Sequence, residues 1–131
     1  MTTHKGNFTV YRSSAGSGKT FTLVSEYLVI ALSDPRRFRN ILAITFTNKA
    51  AAEMKNRVLR YLTDLSVAPE AFNRNTREVL LPKLMTATGL SETEISRRAG
   101  EILSLILHNY SDFAITTIDS LMHKVVRTFT F

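Results

Sequence analysis

The sequence contains no cysteine, no tryptophan and no glutamine. Without cysteine there can be no disulfide, no thiol nucleophile and no cysteine-based zinc site. That absence suits a reducing cytoplasm. The longest strictly apolar run is Tyr27–Leu32, far short of the roughly 20 residues that a membrane helix needs. The opening residues MTTHKGNFTV lack the apolar stretch of a signal peptide. A soluble, cytoplasmic protein with no membrane partner is expected. Glycine and proline are also sparse, five and three in 131 residues, which excludes collagen-like, linker and low-complexity sequence. With 44% hydrophobic residues the chain has enough apolar surface to offset its conformational entropy. The length suits about one domain.

What is present is a basic charge. Seventeen Lys and Arg oppose eleven Asp and Glu, a formal net charge of +6. Such an excess serves either as a solvated surface or as a partner for phosphates, those of a nucleotide or of a nucleic acid. Charge alone does not separate the two. His4, His108 and His123 show no metal-ligand spacing.

Periodicity along the chain alternates between strand and helix. Asn7–Arg12 reads as a short strand. Lys19–Leu32 reads as a helix, apolar nearly all round and closed by Ser33-Asp34-Pro35. Asn40–Phe46 is a second strand, whose nearly continuous apolar run suits a parallel sheet covered on both faces. From Asn48 to about Leu65 the period becomes 3.6, with Ala51, Met54, Val58, Tyr61, Leu62 and Leu65 on one face. A mostly helical insertion occupies about residues 66–110. It holds a loop around Pro69, a short helix with Val79, Leu80 and Leu84 interrupted by Pro82, and a break at Gly89. A longer helix then opens with the capping-box pair Ser91 and Glu94, its inner face Ile95, Ala99, Ile102, Leu105 and Ile106. Phe113–Ile118 is a third strand. Asp119–Phe129 is a last helix, expected to bury Leu121, Met122, Val125, Val126 and Phe129. Strand–helix alternation of this kind predicts an α/β fold with a three-stranded parallel sheet flanked by helices. Ligands then bind at the carboxyl ends of the strands.

A phosphate site is written at the first of those ends, in Ser13-Ser14-Ala15-Gly16-Ser17-Gly18-Lys19-Thr20. Gly16 and Gly18 let the backbone wrap around an anion without Cβ clashes, and the helix that follows offers its positive end. In this reading Ser14, Ala15, Gly16, Ser17 and Gly18 cradle the phosphates of ATP. Lys19 reaches the β- and γ-phosphates, and the Thr20 hydroxyl binds Mg²⁺. The full pattern G-x-x-x-x-G-K-[ST] is not met, because Ser13 stands at its first glycine.

SSAGSGKTFTL resembles the first ATPase motif of superfamily 1 DNA helicases of the UvrD/Rep/RecB-like family, which tolerate a small residue there. Thr45-Phe46-Thr47-Asn48-Lys49-Ala50-Ala51-Ala52-Glu53-Met54 is similar to the family's motif Ia, and Thr117-Ile118-Asp119-Ser120 to its next signature. The first and last of these resemble the RecB/AddA branch most, which implies ATP-dependent helicase–nuclease repair. The resemblance implies a RecA-like P-loop NTPase fold over residues 1–131, as the N-terminal part of the first motor domain. It also implies contact with single-stranded DNA, or DNA ends, through Phe46, Thr47, Asn48, Thr117 and Ser120. Phe46 can stack on a base or pack in the core. Asn48 can meet the DNA backbone or cap its helix. Asp119 can be a Walker B carboxylate or an N-cap.

Two departures bear on activity. Family members often read adenine with an upstream glutamine, and this chain has none. No apolar strand ends in Asp-Glu, so the carboxylate pair that phosphoryl transfer relies on is missing. The chain alone is therefore expected to bind nucleotide without turning it over. The remainder of the helicase chain, and a partner nuclease or helicase subunit, would complete it. A compact P-loop phosphotransferase using Asp119 and a non-catalytic binding module are the alternatives.

Overall fold

The computed structural model describes residues 2–5, 8–11 and 17–129, with side chains from residue 20 onward. Strands β1 (Thr2–Lys5) and β2 (Phe8–Tyr11) are followed by helix α1 (Ser17–Ser33). Strand β3 (Leu42–Thr45) leads into α2 (Asn48–Leu65). Helices α3 (Leu81–Thr88) and α4 (Glu92–His108) form the insertion, and β4 (Ala114–Thr117) runs straight into α5 (Ile118–Thr128). Among the described residues no helix is long and apolar enough to cross a membrane.

The core sits among α1, α2, α4 and one face of the sheet. Helix α2 buries Ala51, Met54, Val58, Tyr61, Leu62 and Leu65, the six positions its periodicity marks. Helix α1 buries Val24, Tyr27, Leu28, Ala31 and Leu32 but leaves Ile30 exposed, so it hides one face rather than its whole circumference. Helix α4 adds Ile95, Ala99, Ile102 and Ile106, and Phe113 and Ile115 close the core from the sheet side. Tyr27 packs edge-on against Phe113 at 5.8 Å. Its hydroxyl is buried with no hydrogen-bond partner among the described residues, and burial pushes the phenol's pKa up.

The sheet departs from expectation. Among the described residues β3 and β4 pair in parallel as a sheet of two strands, where three are expected. β2 pairs antiparallel with β1 instead, from Thr2 opposite Tyr11 to Lys5 opposite Phe8. The connecting residues are Gly6-Asn7, a composition suited to two-residue hairpins. A local hairpin closes a far shorter loop than pairing with the distant sheet. One face of the β3–β4 pair therefore lies open, with Leu42 and Ile44 50% and 45% exposed.

Helix α5 departs as well. Met122, Val125, Val126 and Phe129 are exposed, Phe129 at 73%, because the helix mainly touches β4, from which it emerges. Periodicity marks a face that is fit for burial without saying what covers it. Val79 is likewise exposed. Pro82 does not interrupt its helix. It sits in the first turn of α3, directly after a π-helical turn at Thr76–Leu80, which shifts the hydrogen-bond ladder where proline has no N–H to give. Gly89 ends α3 in the left-handed region at φ 72°, a conformation glycine adopts without strain.

The capping box of α4 is half made. Ser91 Oγ accepts from Glu94 N at 3.2 Å, but the Glu94 carboxylate turns to Arg97 and Arg98. Arg98 Nε donates to Glu94 at 2.9 Å. Its Nη1 donates to the Leu32 and Ser33 carbonyls at 2.8 and 2.9 Å. Arg98 thus supplies partners to carbonyls that the end of α1 leaves unbonded. Arg98→Ala should lower stability by roughly 1–3 kcal/mol, the scale of hydrogen bonds from a charged donor, read as an earlier urea midpoint. Hydrogen bonds from Arg97 first, then Arg98, lower the Glu94 pKa from 4.5 to about 2. A depressed carboxylate stabilises the fold above its unfolded pKa and loses that contribution as pH falls through the folded one. The stability gap between the native chain and Glu94→Gln should accordingly be full above pH 5 and close towards pH 2.

Candidate functional site

Register builds the site. In the parallel pair Thr45 lies opposite Thr117, so both strands end level, β4 passing directly into α5 and β3 into α2 after Phe46 and Thr47. Thr47 caps α2, its Oγ1 accepting from Ala50 N at 3.0 Å. Thr117 caps α5, its Oγ1 accepting from Ser120 N at 3.1 Å and donating to Ser120 Oγ at 2.9 Å. Thr45 Oγ1 donates to the Thr47 and Thr116 carbonyls at 3.1 and 3.4 Å, which ties the two strand ends together. Two positive helix ends and their unbonded N–H groups therefore stand side by side.

Between them opens a cleft of about 390 Å³. Phe46, Thr47 and Asn48 line it from one strand–helix junction; Thr117, Asp119, Ser120 and His123 line it from the other. All five sequence-predicted DNA residues thus meet at one place. Phe46 is 84% exposed, so it is not a core residue. Asn48 is not the cap of α2, because Thr47 fills that position. Thr117 is buried and its hydroxyl is committed to Ser120, so it positions Ser120 more than it faces a ligand. Asp119 is not the cap of α5; it stands exposed in the first turn of that helix.

Two lining residues escaped the sequence reading. His123 lies four residues after Asp119 and three after Ser120, which on a helix is the same face. Lys55 lines a second cleft of about 240 Å³ together with Ala51, Ala52 and Ile115. That cleft shares Asn48 and Thr117 with the first. Its spacing of seven residues puts Lys55 two turns beyond Asn48 on one stripe, but only the fold shows that this stripe borders a cleft. Among the described residues no cluster of His, Asp and Glu could hold a metal ion.

Of the phosphate-loop residues, Ser14, Ala15 and Gly16 lie outside the described residues. Ser17, Gly18, Lys19 and Thr20 form the first turn of α1, which begins two residues earlier than expected and carries no acidic side chain there. Thr20 is partly buried. A helix N-terminus free of carboxylates, with a threonine in its first turn, fits a triphosphate and its cation.

The model of the UvrD/REP helicase N-terminal domain matches residues 1–131. The chain belongs to this family. The helicase N-terminal domain is also similar to ATP-dependent DNA helicase UvrD1 of Mycobacterium leprae, 44% identical over 61 residues, covering 47% of this chain and 8% of the relative. It is 42% identical over 69 residues to an ATP-dependent helicase/nuclease subunit of Exiguobacterium sibiricum, covering 50% of this chain and 6% of the relative. The helicase/nuclease subunit of the same name from Staphylococcus carnosus is 40% identical over 63 residues, with 48% and 5% covered. The helicase N-terminal domain thus spans less than a tenth of the length of these relatives. No solved structure matches it.

Proposed function

We propose that this chain is the ATP-binding portion of an ATP-dependent DNA helicase that translocates on single-stranded DNA in repair or recombination. It would form the N-terminal part of the first RecA-like P-loop domain. The P-loop and Thr117–Ser120 segments suit the RecB/AddA branch. Similarity to helicase/nuclease subunits supports it, while similarity to UvrD1 supports the wider family. A nuclease activity and a partner subunit would lie elsewhere. The observation that carries the reading is the cleft: the Thr45–Met54 and Thr117–Ser120 segments both start at the ends of adjacent paired strands and run into helices, and Phe46 stands exposed beside their junction.

Roles follow from chemistry. Backbone N–H groups of Ser14 to Gly18 hold the phosphates, Lys19 neutralises them and Thr20 holds Mg²⁺. Bound ATP supplies the free energy for movement. Ser120, Thr47 and Asn48 offer hydrogen bonds to phosphate and sugar, which set register without reading sequence. Phe46 offers a stacking face that accepts any base. The carboxylate pair for hydrolysis would come from outside these residues.

The test is anisotropy of a fluorescent oligothymidine titrated with the 131-residue chain over a range of salt. Binding should be weak and should fall as log K against log salt by about 0.7 per phosphate contacted, with no ATP turnover in the presence of DNA. Phosphate transfer from ATP to a small-molecule acceptor without DNA would replace this reading with the compact phosphotransferase.

A further inference from the structure

The two clefts adjoin at Asn48 and Thr117, which line both, and together they trace a groove. It starts at Phe46 and His123 and continues along α2 past Ala51 and Ala52 to Lys55. These α2 positions follow the i, i+3, i+4, i+7 stripe of a helix face, and the two alanines keep the groove floor low. Lys55 stands about 10 Å beyond Asn48 at a rise of 1.5 Å per residue.

At that far end the Lys55 ammonium sits 5.5 Å from the centre of the Tyr110 ring. No carboxylate forms an ion pair with it among the described residues. Asp112, in the same short turn as Tyr110, is paired with Arg39 at 3.4 Å. Tyr110 is itself braced edge-on against Phe113 at 6.0 Å, and Phe113 against Tyr27. A ring face holds a cation in place while leaving its charge unneutralised, and the three N–H donors of a lysine then remain available to an anion. An ion pair with Asp or Glu would have cancelled that charge.

We infer that Lys55 is a further phosphate contact for single-stranded DNA at the end of this groove, with Tyr110 as its positioning residue. The inference rests on the single-strand reading of the cleft and extends it from the helix ends along α2. A nucleic-acid backbone crossing the junction at Phe46 would pass Asn48 and reach Lys55 with no acidic side chain lining that stretch. Asp119 lines the opposite end.

Oligothymidine binding to the 131-residue chain tests it, with circular dichroism to confirm folding. Lys55→Ala should weaken binding about 3- to 10-fold at low salt and reduce the magnitude of the salt slope by about 0.7, the loss of one phosphate contact. Lys55→Arg should restore both. Tyr110→Leu should weaken binding less, and should have no effect in the Lys55→Ala background, as a residue acting only through Lys55 requires. An unchanged salt slope in Lys55→Ala, with binding still lost in Phe46→Ala, overturns the Lys55 contact and leaves the cleft reading intact. Full binding in both variants overturns the cleft reading itself.

Discussion

Lys19→Ala should abolish DNA-stimulated ATP hydrolysis in a helicase that carries this chain. Lys19 is the third residue of α1, in a first turn with no acidic side chain. Gly16 and Gly18 precede it in sequence, residues without the Cβ that would crowd a phosphate. A helix end of this kind would attract a triphosphate but is fixed in place. A lysine on a four-carbon stem can follow charge as it moves onto the leaving oxygens, and such differential stabilisation is what lowers a barrier. Removing a single group of this kind costs about 10²–10³ in turnover. The check is steady-state hydrolysis with saturating oligothymidine, alongside binding of a fluorescent ATP analogue. Lys19→Arg keeps the charge but replaces a compact point with a planar fork, so it should retain more nucleotide binding than turnover. Undiminished hydrolysis in Lys19→Ala would remove the lysine from its assigned role.

The segments proposed for nucleotide and DNA stand out in the sequence because each is a contiguous string with its own local chemistry. Ser-Gly-Lys-Thr opens a helix, and Thr45–Met54 crosses from a strand into one. The buried stripe of α2 was legible for the same reason, since one helix displays its own period. What could not be read depends on distant partners. An alternating segment at Phe8–Tyr11 announces a strand but not its neighbour, which is β1. The apolar face of α5 announces that it is fit for burial, while no described element lies over it. Capping was missed by one or two residues at both junctions. Thr47 and Thr117 take the cap positions that are the alternative roles of Asn48 and Asp119, because the strands end at Thr45 and Thr117 and a helix begins within a few residues. Glu94 was read as half of a capping box, yet two arginines on its own helix outcompete one backbone N–H for its carboxylate. Lys55 needed the fold itself, since only the packing of α2 against β4 shows which of its stripes borders the groove.

Phe46→Ala should separate binding from stability more sharply than any other change in the cleft. A buried phenylalanine cut to alanine costs about 3–5 kcal/mol of folding free energy. Phe46 is 84% exposed, so its removal should move stability by no more than about 0.5 kcal/mol. Base–aromatic stacking is worth about 1–3 kcal/mol per base, which converts to a roughly 5- to 150-fold loss of affinity for single-stranded DNA. The salt slope should stay as it is, because a ring touches no phosphate. Phe46→Trp should restore binding, since any flat aromatic face will serve, and Phe46→Leu should not, although it keeps most of the apolar surface. The measurements are oligothymidine anisotropy at several salt concentrations and a urea melt of the same samples. A large shift in the melt with unchanged affinity would place Phe46 among the residues that hold the fold, and the cleft would lose its stacking platform. The expected pattern, affinity lost at constant slope and constant stability, is one that neither Lys55→Ala nor a folding defect can produce.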